Sequence, residues 1–182
     1  APDLLSSVVY ALPEWYSSEF SGAKALAVPG CYPTAVLLAL LPLLKHFSDV
    51  GTIIVDAKTG VSGAGKGLKA ELQYCEVTEG VSAYQTGIHR HAPEMAQYLG
   101  HKLVFCPHLL PMKRGILADC YIPMPDAVCL SDIYTLYDQA YAESPFVSLL
   151  SKGQAASTHL VSGTNHCKIG FDLVDNTLVI HS

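Results

Sequence analysis

Residues 28–35, Val28-Pro29-Gly30-Cys31-Tyr32-Pro33-Thr34-Ala35, leave this chain little freedom in how it folds. A β-like run over residues 23–28 ends at Pro29-Gly30, a turn delivers one cysteine, and Pro33 suits the first turn of a helix, where its missing N–H is not wanted. The pattern predicts a helix from Pro33 to His46, apolar on nearly every side and therefore buried on most of them, with Pro42 kinking or ending it. Cys31 then stands at or just before a helix N-terminus. Free backbone N–H groups and the positive end of the helix dipole favour thiolate over thiol there, and the same N–H groups can hold an oxyanion on a carbonyl that the sulfur attacks. The competing reading is a small buried cysteine ahead of a core helix, because free cysteine is among the most buried residue types.

Half of the 182 residues are apolar, which supports a sizeable core in a single domain. Only 15% are charged and the mean hydropathy is +0.29, a balance that points to apolar surface reserved for a partner, another domain or another subunit. A net charge of −5 with no basic run argues against nucleic acid. The longest apolar run, Ala35 to Leu44, is short and carries Pro42, so no membrane span is expected, and no stretch reads as a signal peptide. The six cysteines (31, 75, 106, 120, 129 and 167) show no CxxC spacing, and those at 75, 106, 120 and 167 lie in strand-like runs. Reduced thiols in a cytoplasmic setting are the expectation.

Short strands are expected at Ser7 to Tyr10 and Ala23 to Val28, and a buried one from Gly51 to Ala57 that runs into a glycine-rich loop, Lys58 to Lys69. Further strand character is read at Leu72 to Val77, Val81 to Ile88, Lys102 to Cys106 and Gly115 to Ile122, with residues 107–114 as a loop. A helix from Pro93 to Leu99 is closed by Gly100. Ser131 caps an amphipathic helix whose stripe is Ile133, Leu136, Tyr137, Ala140 and Tyr141. Four strand-like runs follow, at 146–150, 155–161, 167–174 and 177–181, the last two joined at Asp175-Asn176, a pair suited to a two-residue turn. Many antiparallel-type strands with few helices define an α+β class.

Two constellations carry chemistry. Gly60 to Gly67 comes close to GxxxxGK[ST] after a strand, but Gly67 offers no hydroxyl for magnesium, and the segment that follows reads as strand instead of helix. A loop whose backbone approaches an anionic ligand, or a flexible turn, remains. His89-Arg90-His91 with Glu94 gathers four ionisable groups where strand gives way to helix. A general acid/base beside a thiolate, an arginine for an anion and a carboxylate to orient an imidazole fit this set better than a metal, for which no third ligand is suitably spaced; a solvated polar bend is the plain alternative. Lys113-Arg114-Gly115 is either an anion contact or a solvated basic turn, and Ser162 to His166 reads as turn chemistry.

Pro29-Gly30-Cys31-Tyr32-Pro33-Thr34-Ala35, Gly60-Val61-Ser62-Gly63-Ala64-Gly65, His89-Arg90-His91 with Pro93-Glu94, and Pro107 to Gly115, in this order, resemble the N-acetyl-gamma-glutamyl-phosphate reductase family of arginine biosynthesis, itself akin to aspartate-semialdehyde dehydrogenases. The likeness runs from Tyr10 to Asn165. It implies a mixed, largely antiparallel sheet with helices packed on one face, like the C-terminal domain of glyceraldehyde-3-phosphate dehydrogenase-type enzymes. It also implies NADPH as reductant, Cys31 as the nucleophile that becomes acylated by an acyl phosphate, His91 as acid/base, and Ser62, Gly63, Tyr84, His89, Arg90 and Glu94 around the substrate. No metal is implied. Three departures stand out: Val28 replaces an asparagine, no strand-GxGxxG-helix unit occurs, and the family's closing helix is missing. Residues 1–30 are accordingly expected to be a remnant of an absent NADP-binding domain, and residues 31–182 a catalytic and dimerisation domain that pairs through an open sheet face and has little reductase activity alone. A non-catalytic binding or assembly domain on the same scaffold is the alternative.

Overall fold

The computed structural model describes residues 7–125 and 128–182. The first six residues of the segment expected to be a cofactor-domain remnant lie outside that range. Strands β3 (Ile53–Gly60), β4 (Ser82–Ala83), β5 (Leu103–Leu110), β6 (Ile116–Pro123), β7 (Val147–Leu149), β8 (Cys167–Val174) and β9 (Thr177–His181) form one sheet in the order β4-β5-β3-β6-β9-β8-β7. β3 runs parallel to β5 and β7 to β8, while β4/β5, β3/β6, β6/β9 and β8/β9 are antiparallel. This is the mixed, mostly antiparallel α+β architecture expected. A separate parallel pair, β1 (Val8–Tyr10) with β2 (Ala25–Ala27), precedes it.

Helices α1 (Cys31–His46), α2 (His91–Leu99) and α3 (Leu130–Tyr141) pack against the sheet. Alternation along β3 sorts the residues: Ile53, Val55 and Ala57 are fully buried, whereas Ile54, between them, is 44% exposed. The outward row continues across Val104, Ile54 and Tyr121, 36–48% exposed, and ends at Val179, which is buried, so the bare part of this sheet face lies over β5, β3 and β6. A second outward row, Cys106, Asp56, Asp119 and His181, carries charge. Lys58 Nζ lies 2.7 Å from both Asp56 and Asp119, and His181 is held between Asp119 (2.7 Å) and Asp172 (3.1 Å).

Pro42 neither kinks nor ends α1, which continues to His46. A proline at this position removes the N–H that would reach the Leu38 carbonyl. Tyr141 of α3 supplies the replacement, its hydroxyl donating to Leu38 O at 2.5 Å, and Tyr137 donates to the neighbouring Ala39 O. Trp15 Nε1 in turn donates to the Tyr141 oxygen at 3.2 Å, which ties the N-terminal segment to the same joint.

Other expectations are corrected. Leu72 to Val77 is a 3₁₀ turn and one helical turn (Tyr74–Val77), Val81 to Ile88 keeps only the two-residue β4, and 155–161 holds a 3₁₀ turn at Thr158–Leu160. Tyr74, Val81 and Ile88 are 65–84% exposed, so their β-favouring side chains find no packed surface to join. β5 extends through Pro107 to Leu110 instead of ending before it. Pro107 O accepts from Tyr84 N–H at 3.0 Å, just past the end of β4, so the missing N–H also faces the sheet edge and no bond to β3 is lost. Ser131 lies inside α3, Cys129 taking the cap position without a side-chain bond to the backbone, although the predicted stripe is buried at Ile133, Tyr137 and Tyr141. Gly100 closes α2 in the left-handed conformation (φ 66°), as expected, and Asp175 turns the last hairpin at φ 50°.

Candidate functional site

Cys31 is exposed and is the first residue of α1, with Gly30 as its cap. Pro33 has no N–H and Thr34 N–H closes the first helical bond onto Gly30 O at 2.9 Å, so the N–H groups of Cys31 and Tyr32 find no acceptor among the described residues. Cys31 lines a cavity of about 410 Å³ whose wall includes Thr59, Ser62, Gly63, Ser157 and Asn165. Ser62 and Gly63 therefore meet Cys31 at one space.

Glycine at position 30 is a steric requirement, since a Cβ there would sit 2.4 Å from Nε2 of His91. The imidazole thus packs, Nε2 nearest, against the residue before the nucleophile. His91 is the first residue of α2, 8% exposed, and its Nδ1 has no hydrogen-bond partner among the described residues. Burial lowers its pKa, and Arg90 lowers it further while Glu94 opposes. The His91 N–H donates to Nδ1 of His89 at 3.1 Å, which places the proton of neutral His89 on Nε2. Burial, then His91 and Arg90, lower the His89 pKa as well. The two histidines lie at a turn into α2 and not along an extended strand, with ring centroids 4.8 Å apart.

Tyr84, Tyr32 and Phe105 complete this second group. Tyr32 and Tyr84 share a hydroxyl–hydroxyl bond of 3.1 Å, and burial raises both phenol pKa values, with the nearby Cys31 adding to each. Both rings meet His89 edge to face at 5.7 Å. Glu94 takes the N–H of Gly30 at 3.1 Å and the Tyr10 hydroxyl at 2.7 Å on one carboxylate oxygen. Its hydrogen bonds go to the turn that carries Cys31 and not to an imidazole. Arg90 is exposed and joins no ion pair among the described residues. Val28, where the resemblance implies an asparagine, is 79% exposed.

The sites therefore fall into two groups that meet at Gly30-Cys31: a cavity with Ser62 and Gly63 on one side, and on the other the buried His89 and His91 with the half-buried Tyr84 and Glu94. Sequence reasoning passed over Thr59, Ser157, Asn165 and His166, which also line the cavity. The polar run Thr164-Asn165-His166 was the visible signal, and it was read as turn chemistry.

This fold has well-matched relatives among solved structures. A probable aspartate-semialdehyde dehydrogenase from Pseudomonas aeruginosa superposes with TM-score 0.72 at 14% identity, over 95% of this chain and 62% of that one. Aspartate-semialdehyde dehydrogenase from Francisella tularensis gives 0.69 at 11% identity, over 97% and 65%. The architecture is thus that of semialdehyde dehydrogenases. Residues 31–182 match the family described as semialdehyde dehydrogenase, dimerisation domain, and the chain belongs to that family. N-acetyl-gamma-glutamyl-phosphate reductases are similar in sequence: the protein from Pelobacter propionicus is 47% identical over 92% of this chain and 51% of its own length, and that from Staphylococcus aureus strain USA300 is 41% identical over 97% and 53%. The chain spans about half the length of these relatives.

Proposed function

We propose that this chain is the catalytic and pairing half of an oxidoreductase that reduces N-acetyl-gamma-glutamyl phosphate to the semialdehyde with release of phosphate, in arginine biosynthesis. The observation that carries the reading is Cys31, exposed at the head of α1 and opening on a cavity of about 410 Å³, with the His91 ring against the preceding glycine. The sulfur attacks the acyl carbon, the carbon–oxygen bond to phosphate breaks, and a thioester forms on Cys31. The unbonded N–H groups of Cys31 and Tyr32 are available to an oxyanion at that carbon. His91, kept neutral by burial, accepts the thiol proton and passes it to the departing phosphate. Glu94 holds the Gly30 turn, while Ser62, Gly63, Tyr84, His89 and Arg90 serve to bind and orient the substrate.

NADPH, when bound, supplies the hydride that converts the thioester to aldehyde. Among the described residues no strand-GxGxxG-helix unit holds a dinucleotide, because the glycine run after β3 opens into a 3₁₀ turn at Val61–Ala64. We therefore assign most cofactor binding to a separate dinucleotide-binding domain, with residues 1–30 as its edge. The description of the family as a dimerisation domain supports a homo-oligomer, and the bare row Val104, Ile54 and Tyr121 is where we place the second copy.

Mass spectrometry of the chain after exposure to the acyl phosphate tests the reading without cofactor. A gain of one acyl group on Cys31, absent in Cys31→Ser, is expected. No gain, or acylation of another cysteine, would leave a scaffold that binds or assembles without catalysing.

A further inference from the structure

We propose that Lys66, Lys113 and Arg114 form a phosphate-binding subsite next to the Cys31 cavity. A second cavity, about 1080 Å³, lies between the glycine-rich loop, the Met112 to Gly115 turn and the 158–163 segment. Lys66, Lys69, Lys113, Arg114 and His159 line it, and no lining residue is acidic. The chain as a whole is acidic, with 11 Lys and Arg against 16 Asp and Glu, so four of its eleven permanent cations gathered in one cleft run against the overall balance. None of these four has an ion-pair or hydrogen-bond partner of its side chain among the described residues, unlike Lys58, which is held by two aspartates. Unpaired cations around a concave surface make a ready anion site, and arginine supplies a planar fork matched to phosphate oxygens.

The cleft is built, not incidental to a floppy loop. Gly60 N–H bonds Gly115 O at 3.0 Å, Val61 N–H bonds Met112 O at 2.9 Å and Ser62 N–H bonds Lys113 O at 3.1 Å. A Cβ on Gly60 would meet Met112 O, Arg114 N and Lys113 C within 2.9 Å, so the two loops touch backbone to backbone. On the far side Thr158 packs on Gly115, whose φ of +119° suits only glycine. Ser62 lines both cavities, and Ser157 of the first adjoins Thr158 of the second. A ligand that reaches the sulfur and extends past Ser62 enters the basic cleft.

The shared chemistry is a phosphate, brought either by an acyl phosphate or by a dinucleotide. Only that choice of source rests on the reductase reading; anion capture does not. Titration of the 182-residue chain with inorganic phosphate, followed by amide chemical shifts, should saturate and move residues 61–66 and 112–115. Lys113→Gln and Arg114→Gln should each weaken binding about tenfold or more, whereas Lys102→Gln, at the opposite end of β5, should not. Competition by acetyl phosphate assigns the subsite to the substrate, and competition by 2′,5′-ADP assigns it to the cofactor. Absence of saturable binding, or equal losses in all three variants, overturns the subsite. Phosphate binding without acylation of Cys31 would keep the subsite and remove the reductase.

Discussion

His91 occupies the space that a side chain at residue 30 would need, and this single contact brings an imidazole to the residue before the nucleophile. The cap Gly30 has ordinary extended angles (φ −64°, ψ 163°), so alanine there is strained by the neighbour and not by its backbone. Gly30→Ala is expected to cost about 1–3 kcal/mol, the usual range for overpacking a filled site. Adding His91→Ala to it should recover most of that loss, which urea unfolding of the single and double variants will show; equal stability of both would break the link between the two residues. The placement of Cys31 was legible locally, because Pro29-Gly30 and Pro33 bracket a helix start with standard chemistry. The contact of Gly30 with His91 was not, since it joins residues 61 positions apart and no spacing rule reports a missing Cβ. The same holds for Glu94, whose negative charge in the first turn of α2 was visible but whose bonds to Tyr10 and Gly30 were not.

At the scale of elements, α1 survives an internal proline because α3 completes its hydrogen bonding. Tyr141→Phe leaves the Leu38 carbonyl without its donor and is expected to cost about 1–3 kcal/mol, the penalty for an unsatisfied buried acceptor. In a Pro42→Ala background a peptide N–H returns to that carbonyl, so Tyr141→Phe should cost clearly less there. Additive losses in the double-variant cycle would remove this account. Local pattern reported the apolar run of α1 and the stripe of α3 correctly, but it could not report a tyrosine 103 residues away standing in for a backbone donor. The surplus strands expected over 72–77, 81–88 and 155–161 fail for a related reason. Strand propensity measures the fit of a side chain to a pleated, half-buried surface, and these segments have little or no neighbouring strand to provide one. The hairpin at Asp175 and the stop at Gly100 were legible because a single positive φ defines each.

Across the whole molecule, two sets of histidines set opposite limits on pH. The bond from Asp119 raises the His181 pKa, with Asp172 adding to it and burial opposing. A raised value means that its stabilisation is complete below the ordinary histidine range of about 6.5 and is lost as pH climbs through the folded-state value. Burial lowers the pKa of His89 and His91, so the unfolded chain takes up protons first and stability falls as pH drops below about 6.5. The urea midpoint should therefore peak near that pH. His181→Gln should flatten the alkaline limb and His89→Gln part of the acid limb; a limb unchanged by its variant would show that another group controls it. Burial works against charge on Asp119, but His181 and Lys58 outweigh it and lower its pKa, so its own contribution is lost only in stronger acid, as pH falls below about 3.9 towards the lowered value. The same sheet face carries the proposed pairing row. Ile54→Lys, on a residue 44% exposed in the single chain, should shift sedimentation to that of one copy while leaving the circular dichroism spectrum intact. Retention of the assembled mass would move the pairing surface elsewhere. Finally, one carboxylate oxygen of Glu94 grips both Tyr10 and the amide ahead of Cys31, and Tyr10 stacks on Tyr98 with ring centroids 3.6 Å apart. The opening strand is thus a guy-rope on the reactive corner: anyone trimming this polypeptide for expression who starts beyond residue 10 should expect a looser corner and blunted thiol chemistry, even where the main sheet still folds.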